Sequence, residues 1–231
     1  MRFRARVALI DIEGTVGSIA FVRDVLFPYA SARIDAYVRE HESDPAVREI
    51  LDQTARETGV ERGDLPALLR ALHDWSDRDV KVTPLKQLQG LIWVEGFESS
   101  GLRGHLYPDA IDALRRFHDA GASLYIYSSG SVAAQKLLFG HSVAGDLLAL
   151  FSGFYDTTIG GKREARSYER IVNEIGVAPS EVIFFSDNVA ELDAARAAGV
   201  QTVQLARPED ETVPTTAHPS TASFERVELT T

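Results

Sequence analysis

Four short segments carry residue types that could do chemistry together: Asp11-Ile12-Glu13-Gly14-Thr15, Ser128-Ser129-Gly130-Ser131, Gly160-Gly161-Lys162 and Ser186-Asp187-Asn188. Asp11, Glu13 and Asp187 beside a phosphate dianion would total about −5 in a small volume, which like-charge repulsion forbids without compensation. One magnesium ion and Lys162 return about +3, and a hard cation held by one or two carboxylates, with substrate oxygen and waters, is the usual magnesium site. The hydroxyls of Ser128 and Ser129, with amides at the start of a helix from about Val132, are expected to hold the remaining phosphate oxygens. Asp11 is then placed to attack phosphorus in line and form an aspartyl-phosphate, while Lys162 stabilises the transferring group. Glu13 lies two residues on and, in an extended chain, would face the same side. It is placed to protonate the leaving oxygen and then activate water, with its backbone carbonyl available to the metal.

The segments acquire this meaning from the elements before them. Arg6 to Ile10 is a short apolar run that reads as a buried strand. Strands are expected at Ser123 to Tyr127, Phe151 to Asp156, Val182 to Phe185 and Gln201 to Leu205. They alternate with helices over Asp109–Ala120, Val132–Phe139, Arg163–Ile175 and Ala190–Ala198. Such alternation implies a parallel sheet with both faces covered, and ligands gather at the carboxyl ends of its strands. Between the first strand and the rest, Phe21 to Gly101 gives helix signals. Phe21 to His41 is amphipathic with a break at Pro28, Asp44-Pro45 starts a helix ending at Gly59, Asp64 caps another to about Asp77, and Thr83-Pro84 opens a fourth. The expected fold is α/β: a Rossmann-like parallel sheet core, 1–17 and 102–231, with an all-helical cap, 18–101, inserted after the first strand. From Arg207 onward, proline and threonine suggest a loose tail with at most a short strand at Phe224 to Leu229.

Composition narrows the function classes. The chain has 231 residues, 45 % hydrophobic and 25 % charged, typical of a globular protein. Its net charge of −10 is the wrong sign for nucleic acid or anionic membrane, so neither is an expected partner. There is no cysteine, which removes thiolate chemistry and fits a reducing compartment; with no secretory signal and no apolar run of about eighteen residues, the cytoplasm is expected.

The four motifs together are similar to those of the haloacid dehalogenase-like hydrolases. More narrowly, Asp11 to Thr15, Phe21 to Tyr29 (FVRDVLFPY), Leu85 to Gly90 (LKQLQG) and Tyr125 to His141 (YIYSSGSVAAQKLLFGH) resemble the enolase-phosphatase family of methionine salvage, over roughly residues 6 to 206. Glutamate at position 13, where most relatives have aspartate, is typical of that family. The resemblance implies a monomeric cytoplasmic enzyme with one magnesium ion per chain. It would enolise 2,3-diketo-5-methylthiopentyl-1-phosphate and then dephosphorylate it to the acireductone 1,2-dihydroxy-3-keto-5-methylthiopentene. It also maps Asp11, Glu13 and Asp187 to the metal, and Ser128, Ser129 and Lys162 to substrate. The family usually continues after Thr15 with Thr, Thr or Ser, and Pro, where this chain has Val16, Gly17 and Ser18. The alternative is a phosphatase of the same superfamily acting on another small phosphate ester. More distant alternatives are a metal-free dehalogenase, opposed by Glu13 and Asp187, and a silent binding scaffold, opposed by retention of every acid and the lysine.

Some residues invite a functional reading but have a plainer one. Glu191 reads first as a charge in the opening turn of its helix, and second as the holder of a metal-bound water. Trp93, Phe97, Leu91 and Phe21 fit a helical core better than a pocket for a methylthio tail. Lys86 and Gln87 fit a solvated face as well as a substrate contact. The six histidines show no metal-ligand spacing.

Overall fold

The computed structural model describes residues 1–99 and 101–231. The chain forms two compact units, one of Met1–Ala20 with Arg103–Thr231 and the other of Phe21–Leu102. Among the described residues, no helix is long and apolar enough to cross a membrane.

Helix α1 (Ile19–Phe21) leads into a π-helical turn (Val22–Leu26), followed by α2 (Phe27–Ser31), α3 (Ile34–Glu40), α4 (Pro45–Thr58), α5 (Leu65–Asp77) and α6 (Thr83–Ser99). The break foreseen at Pro28 takes the form of this π turn, whose Leu26 carbonyl accepts the indole N–H of Trp93 at 2.9 Å. Asp44 caps α4 by accepting the Ala46 amide, and α4 ends on Gly59 in the left-handed region; Asp64 caps α5 through Ala67. Ile34, Val38, Leu51, Leu68, Leu88 and Ile92 form the core of this unit, with Leu91 and Trp93 packed against it. Phe97 is also buried, whereas Lys86 and Gln87 are exposed on α6.

The other unit contains α7 (Pro108–Asp119), α8 (Val132–Gly140), α9 (Ala165–Ile175) and α10 (Val189–Ala197). Its strands are β1 (Arg2–Arg4), β2 (Val7–Ile10), β3 (Ser123–Tyr127), β4 (Phe151–Tyr155), β5 (Val182–Ser186), β6 (Gln201–Leu205), β7 (Ser220–Thr221) and β8 (Glu228–Thr230). Six of them make a parallel sheet in the spatial order β4-β3-β2-β5-β6-β7. The apolar runs of β2 and β5 are buried at every position, as strands covered on both faces must be. From central β2 the chain builds outward through β3 and β4, then returns to β5 on the other side. The loops after β2 and β5 therefore part at the switch point where such sheets bind ligands. Val7, Leu9, Phe184, Tyr168, Ile171 and Leu192 fill one side of the sheet. Elsewhere in the core, Phe117 stacks on Phe185 with centroids 5.9 Å apart, and Phe224 meets Phe185 edge-on at 5.2 Å.

The tail is a correction. It is ordered and integral: β7 extends the main sheet, β8 pairs in parallel with β1, and Phe224 is buried. These strands are three residues or fewer, and β1 meets a partner more than two hundred positions away, so neither has a local periodicity to announce it. The decisive tail residue is Arg207, only 3 % exposed. Its guanidinium donates to both carboxylate oxygens of Asp109 at 2.9 and 3.0 Å, and its Nε donates to the Thr15 carbonyl at 2.9 Å. Asp109 also accepts the Phe224 amide at 2.8 Å. Burial alone would raise the Asp109 carboxyl, but the bonds from Arg207 and Phe224 outweigh it and hold the group below its ordinary value.

Replacing Asp109 by alanine leaves a buried guanidinium unpaired, a loss of roughly 3–5 kcal/mol. For a chain of this size that lowers Tm by on the order of 10 °C; a calorimetric Tm unchanged within about 2 °C would show the tail to be dispensable. The stabilisation from Asp109 is complete above the unfolded carboxyl value of 3.8 and is lost as pH falls through its lower folded value, so the two melting curves converge in acid.

Candidate active site

Strand β2 delivers Asp11 to the carboxyl edge of the sheet, where its amide still donates to Phe185 at 2.9 Å and holds the backbone as a last rung of the ladder. The carboxylate is 5 % exposed. Lys162, itself 9 % exposed, donates from Nζ to Asp11 Oδ1 at 2.5 Å and lies 2.7 Å from Glu191 Oε2. Ser186, the last residue of β5, donates its hydroxyl to Glu191 Oε2 at 3.1 Å and stands 3.5 Å from Asp11 Oδ2. Asp11 thus has one oxygen engaged by the ammonium and one only loosely touched. Burial works against the Lys162 ammonium, but the two flanking carboxylates outweigh it and raise its pKa, so it stays charged. Glu191 is pushed up, first by burial and then by Asp11.

Glu191 stands in the first turn of α10, as its position in the sequence implies, but it has partners on other elements. Asn188 caps α10, accepting the Ala190 amide, and the Glu191 carboxylate turns to Lys162 and Ser186 instead of serving the helix start. Negative charge in the first turn of a helix is favourable on its own account, so the position carries no signal of the Lys162 and Ser186 contacts.

Asp187 joins from the loop after β5. Its amide donates to Thr15 Oγ1 at 3.0 Å, tying the loops after β2 and β5 together. Gly14 sits at φ +71°, and a Cβ there would lie 2.7 Å from Asp187 Oδ2; only glycine lets the carboxylate approach the Asp11 loop so closely. Burial first, then Asp11 and Glu191, push the Asp187 carboxyl up to about 7.

The Asp11 loop itself turns at once. The amides of Thr15, Val16 and Gly17 all point to the Ile12 carbonyl at 2.9–3.1 Å, and Glu13 bridges to Gly17 through the backbone. The extended run that would align Glu13 with Asp11 is therefore absent. Glu13 is half-buried within this turn.

Ser128 and Ser129 stand at the end of β3, beside β2 in the sheet. Ser128 is buried and accepts the Gly130 amide at 3.2 Å; Ser129 is exposed. Gln135, 2 % exposed, holds this loop by donating to the carbonyls of Gly130 at 2.7 Å and Tyr155 at 2.9 Å. The start of α8 is not a free anion cradle, because the Val132 amide bonds to Asp156 and the Ala134 amide to Ser131. The structure thus joins Asp11, Lys162 and Asp187 with Glu191 and Ser186, and sets the two serines on the neighbouring strand.

The donor set suits a cation. Two buried carboxylates, Asp11 and Glu191, share the Lys162 ammonium, and the half-buried Asp187 adds a third acid beside them, whose carboxyl is raised first by burial and then by the charges of Asp11 and Glu191. Among the described residues, no three His, Asp or Glu side chains converge on one metal position. Magnesium does not ask for that, since one or two carboxylates with backbone, substrate and water oxygens suffice.

Comparison with known proteins agrees with this geometry. Residues 5–199 match the model of the haloacid dehalogenase-like hydrolases. Enolase-phosphatase E1 of Hahella chejuensis is 52 % identical over 87 % of both chains, and that of Azotobacter vinelandii is 48 % identical over 96 % of this chain and 97 % of its own. The solved structure of the UTR4 protein of Saccharomyces cerevisiae is 36 % identical and superposes with a TM-score of 0.82, covering 96 % of this chain and 99 % of that one. CbbY of Rhodobacter sphaeroides in complex with phosphate, at 16 % identity and a TM-score of 0.59, shares the fold. The chain belongs to the haloacid dehalogenase-like hydrolases and, within them, to the enolase-phosphatase E1 family.

Proposed function

We propose that this protein is a magnesium-dependent enolase-phosphatase of methionine salvage, taking 2,3-diketo-5-methylthiopentyl-1-phosphate through enolisation and dephosphorylation to 1,2-dihydroxy-3-keto-5-methylthiopentene. The observation that carries the chemistry is the buried Asp11–Lys162 pair at the switch point, with Asp187 held against the same loop. The substrate follows from near 50 % identity with enolase-phosphatases over most of both chains. The proposal includes a monomer in the cytoplasm, as the resemblance implies.

Asp11 and Asp187 would hold the magnesium ion through their carboxylates, and Glu13 through the backbone carbonyl of its turn. Bound there, the cation would offset the negative excess and polarise phosphoryl oxygen. The nucleophile is the Asp11 carboxylate, fixed by the sheet ladder and by Lys162, and its bond to phosphorus forms as the ester oxygen leaves. Lys162 keeps its proton throughout and supplies fixed positive charge to the transferring group. By the resemblance to the enolase-phosphatases, Glu13 would protonate the leaving oxygen and then take a proton from the water that cleaves the aspartyl-phosphate, acting from the turn after Ile12 and not from an extended run. Ser128 and Ser129 contact the substrate from the end of β3.

Three outcomes test this. In an ultraviolet time course with the diketone phosphate and magnesium, the enol signal is expected to precede released phosphate, and both disappear on adding a chelator. Phosphate release from generic esters, with none from the diketone, would move the chain to another branch of the superfamily. Asp11→Asn is expected to abolish phosphate release while leaving the circular dichroism melt cooperative; wild-type turnover would rule out the nucleophile. Lys162→Ala removes the ammonium paired with Asp11 and is expected to lower kcat/KM by roughly 10²–10³-fold, the scale of one lost charge-stabilising donor. An unchanged kcat/KM would contradict its role.

A further inference from the structure

The segment that carries Lys162 contains two glycines and has no strand or helix of its own, yet its ammonium must sit within a few tenths of an ångström of its target to be useful. What fixes it is a row of donors on consecutive carbonyls. Arg170 donates to Ile159 at 2.9 Å, the Tyr127 hydroxyl to Gly160 at 2.8 Å, the Ser167 hydroxyl to Gly161 at 2.8 Å and the Tyr168 hydroxyl to Lys162 at 2.7 Å. Tyr127, Ser167 and Tyr168 are 1 % exposed or less. Gly160 is shaped by the same contact: it lies at φ +141°, and a Cβ would fall 2.2 Å from Ser167 Oγ. The two phenol rings meet edge-on at 5.5 Å, and Lys162 Nζ lies 5.8 Å from the centre of the Tyr127 ring. Tyr127 also immediately precedes Ser128, so one side chain ties the end of β3 to the lysine loop.

We propose that the hydroxyls of Tyr127, Ser167 and Tyr168 are a positioning clamp for Lys162, and that Tyr127 sets the distance between the Ser128 loop and the Lys162 loop. The aromatic rings alone would serve the core equally well as phenylalanine, since Tyr168 packs against Phe184 at 5.2 Å and Tyr127 lies in the same apolar cluster. The hydroxyls are what the core does not need. The phenols end on the Gly160 and Lys162 carbonyls of a loop that has no ladder, while the Ser167 hydroxyl adds a second donor to the Gly161 carbonyl, which also accepts the Glu164 amide at 3.0 Å; a backbone carbonyl left without a partner away from water is rarely tolerated. The clamp acts through Lys162 and touches no reacting atom.

The role of Lys162 in phosphoryl transfer rests on the function proposed above, so the test separates the two. The full-length variants Tyr127→Phe, Ser167→Ala and Tyr168→Phe keep nearly all of the packing and remove one hydroxyl each. Amide hydrogen exchange over residues 159–163 is expected to accelerate about tenfold while the sheet strands keep their protection, as a local opening requires. In magnesium buffer, affinity for orthovanadate, which mimics the five-coordinate phosphoryl group, is expected to fall about tenfold, and affinity for inorganic phosphate less than about threefold. In a Lys162→Ala background the same substitutions are expected to cost no further vanadate affinity, as residues acting through one group are non-additive. Unchanged loop exchange in all three variants overturns the clamp. Equal vanadate losses with and without Lys162 show that the hydroxyls act on the core at large and overturn it as well. If the wild-type protein binds no vanadate, the phosphatase reading fails, and the exchange measurement alone decides the clamp.

Discussion

Two carboxylates, those of Asp11 and Glu191, share one ammonium at the carboxyl edge of a parallel sheet with a third acid, Asp187, beside them, and the rest of the site-bearing unit is arranged to make that tolerable. Burying like charges together is expensive unless a counter-charge and hydrogen bonds are supplied. Lys162 meets two of the acids, Ser186 donates to Glu191, and Thr15 accepts the Asp187 amide. Burial first, and then the charges of Asp11 and Glu191, lift the Asp187 carboxyl to about 7. A fold selected for stability alone would gain by replacing such a cluster with apolar side chains. Its presence at a switch point is the physical signature of a site whose missing charges arrive with its ligands.

The loops that carry these groups share one construction. Each is held from behind by a buried polar side chain bonded to its backbone. Arg207 takes the Thr15 carbonyl, Gln135 takes the Gly130 carbonyl, and the Tyr127, Ser167 and Tyr168 hydroxyls take the carbonyls around Lys162. Irregular segments have no ladder to hold them in place, so their precision has to come from side chains anchored in regular elements. The consequence is that residues far from any reacting atom fix the geometry of those that do the chemistry. The fixed dipoles and charges of such a site then need little reorganisation when charge develops on the phosphoryl group.

Strands β2 to β6, the helices of the core and most helices of the insert could be read from residue patterns, because apolar runs and cap residues are local signals. Asp44, Asp64, Gly59 and Gly176 mark their helix ends as their types require. Asp11, Lys162 and Asp187 could be read too, because each follows a strand whose end is predictable. What escaped was non-local or disguised. Strands β1 and β8 make sense only as a pair. Arg207 lies in a stretch of proline and threonine that resembles a loose tail, and only its bidentate bond to Asp109 reveals it as a keystone. Glu191 was masked by its place in the first turn of α10, where an acid is favourable whether or not it has a partner elsewhere. The turn after Ile12, which redirects Glu13, depends on several amides sharing one carbonyl and leaves no trace in apolar periodicity.

The same charge balance reconciles an acidic chain with an anionic substrate. With a net charge of −10, long-range attraction does not draw a phosphate ester in, and Lys162 is already neutralised by Asp11 and Glu191. At the start of α8, the other natural anion site, the Val132 and Ala134 amides are bonded to Asp156 and Ser131. The chain alone therefore presents the phosphate with a surface close to neutral or negative, and its affinity must be linked to that of the cation. In the function proposed above, each ligand would supply what the other lacks: a cation would lower the repulsion from Asp11 and Asp187, and phosphate oxygens would serve it as further ligands. By linkage the two bind with reciprocal favour.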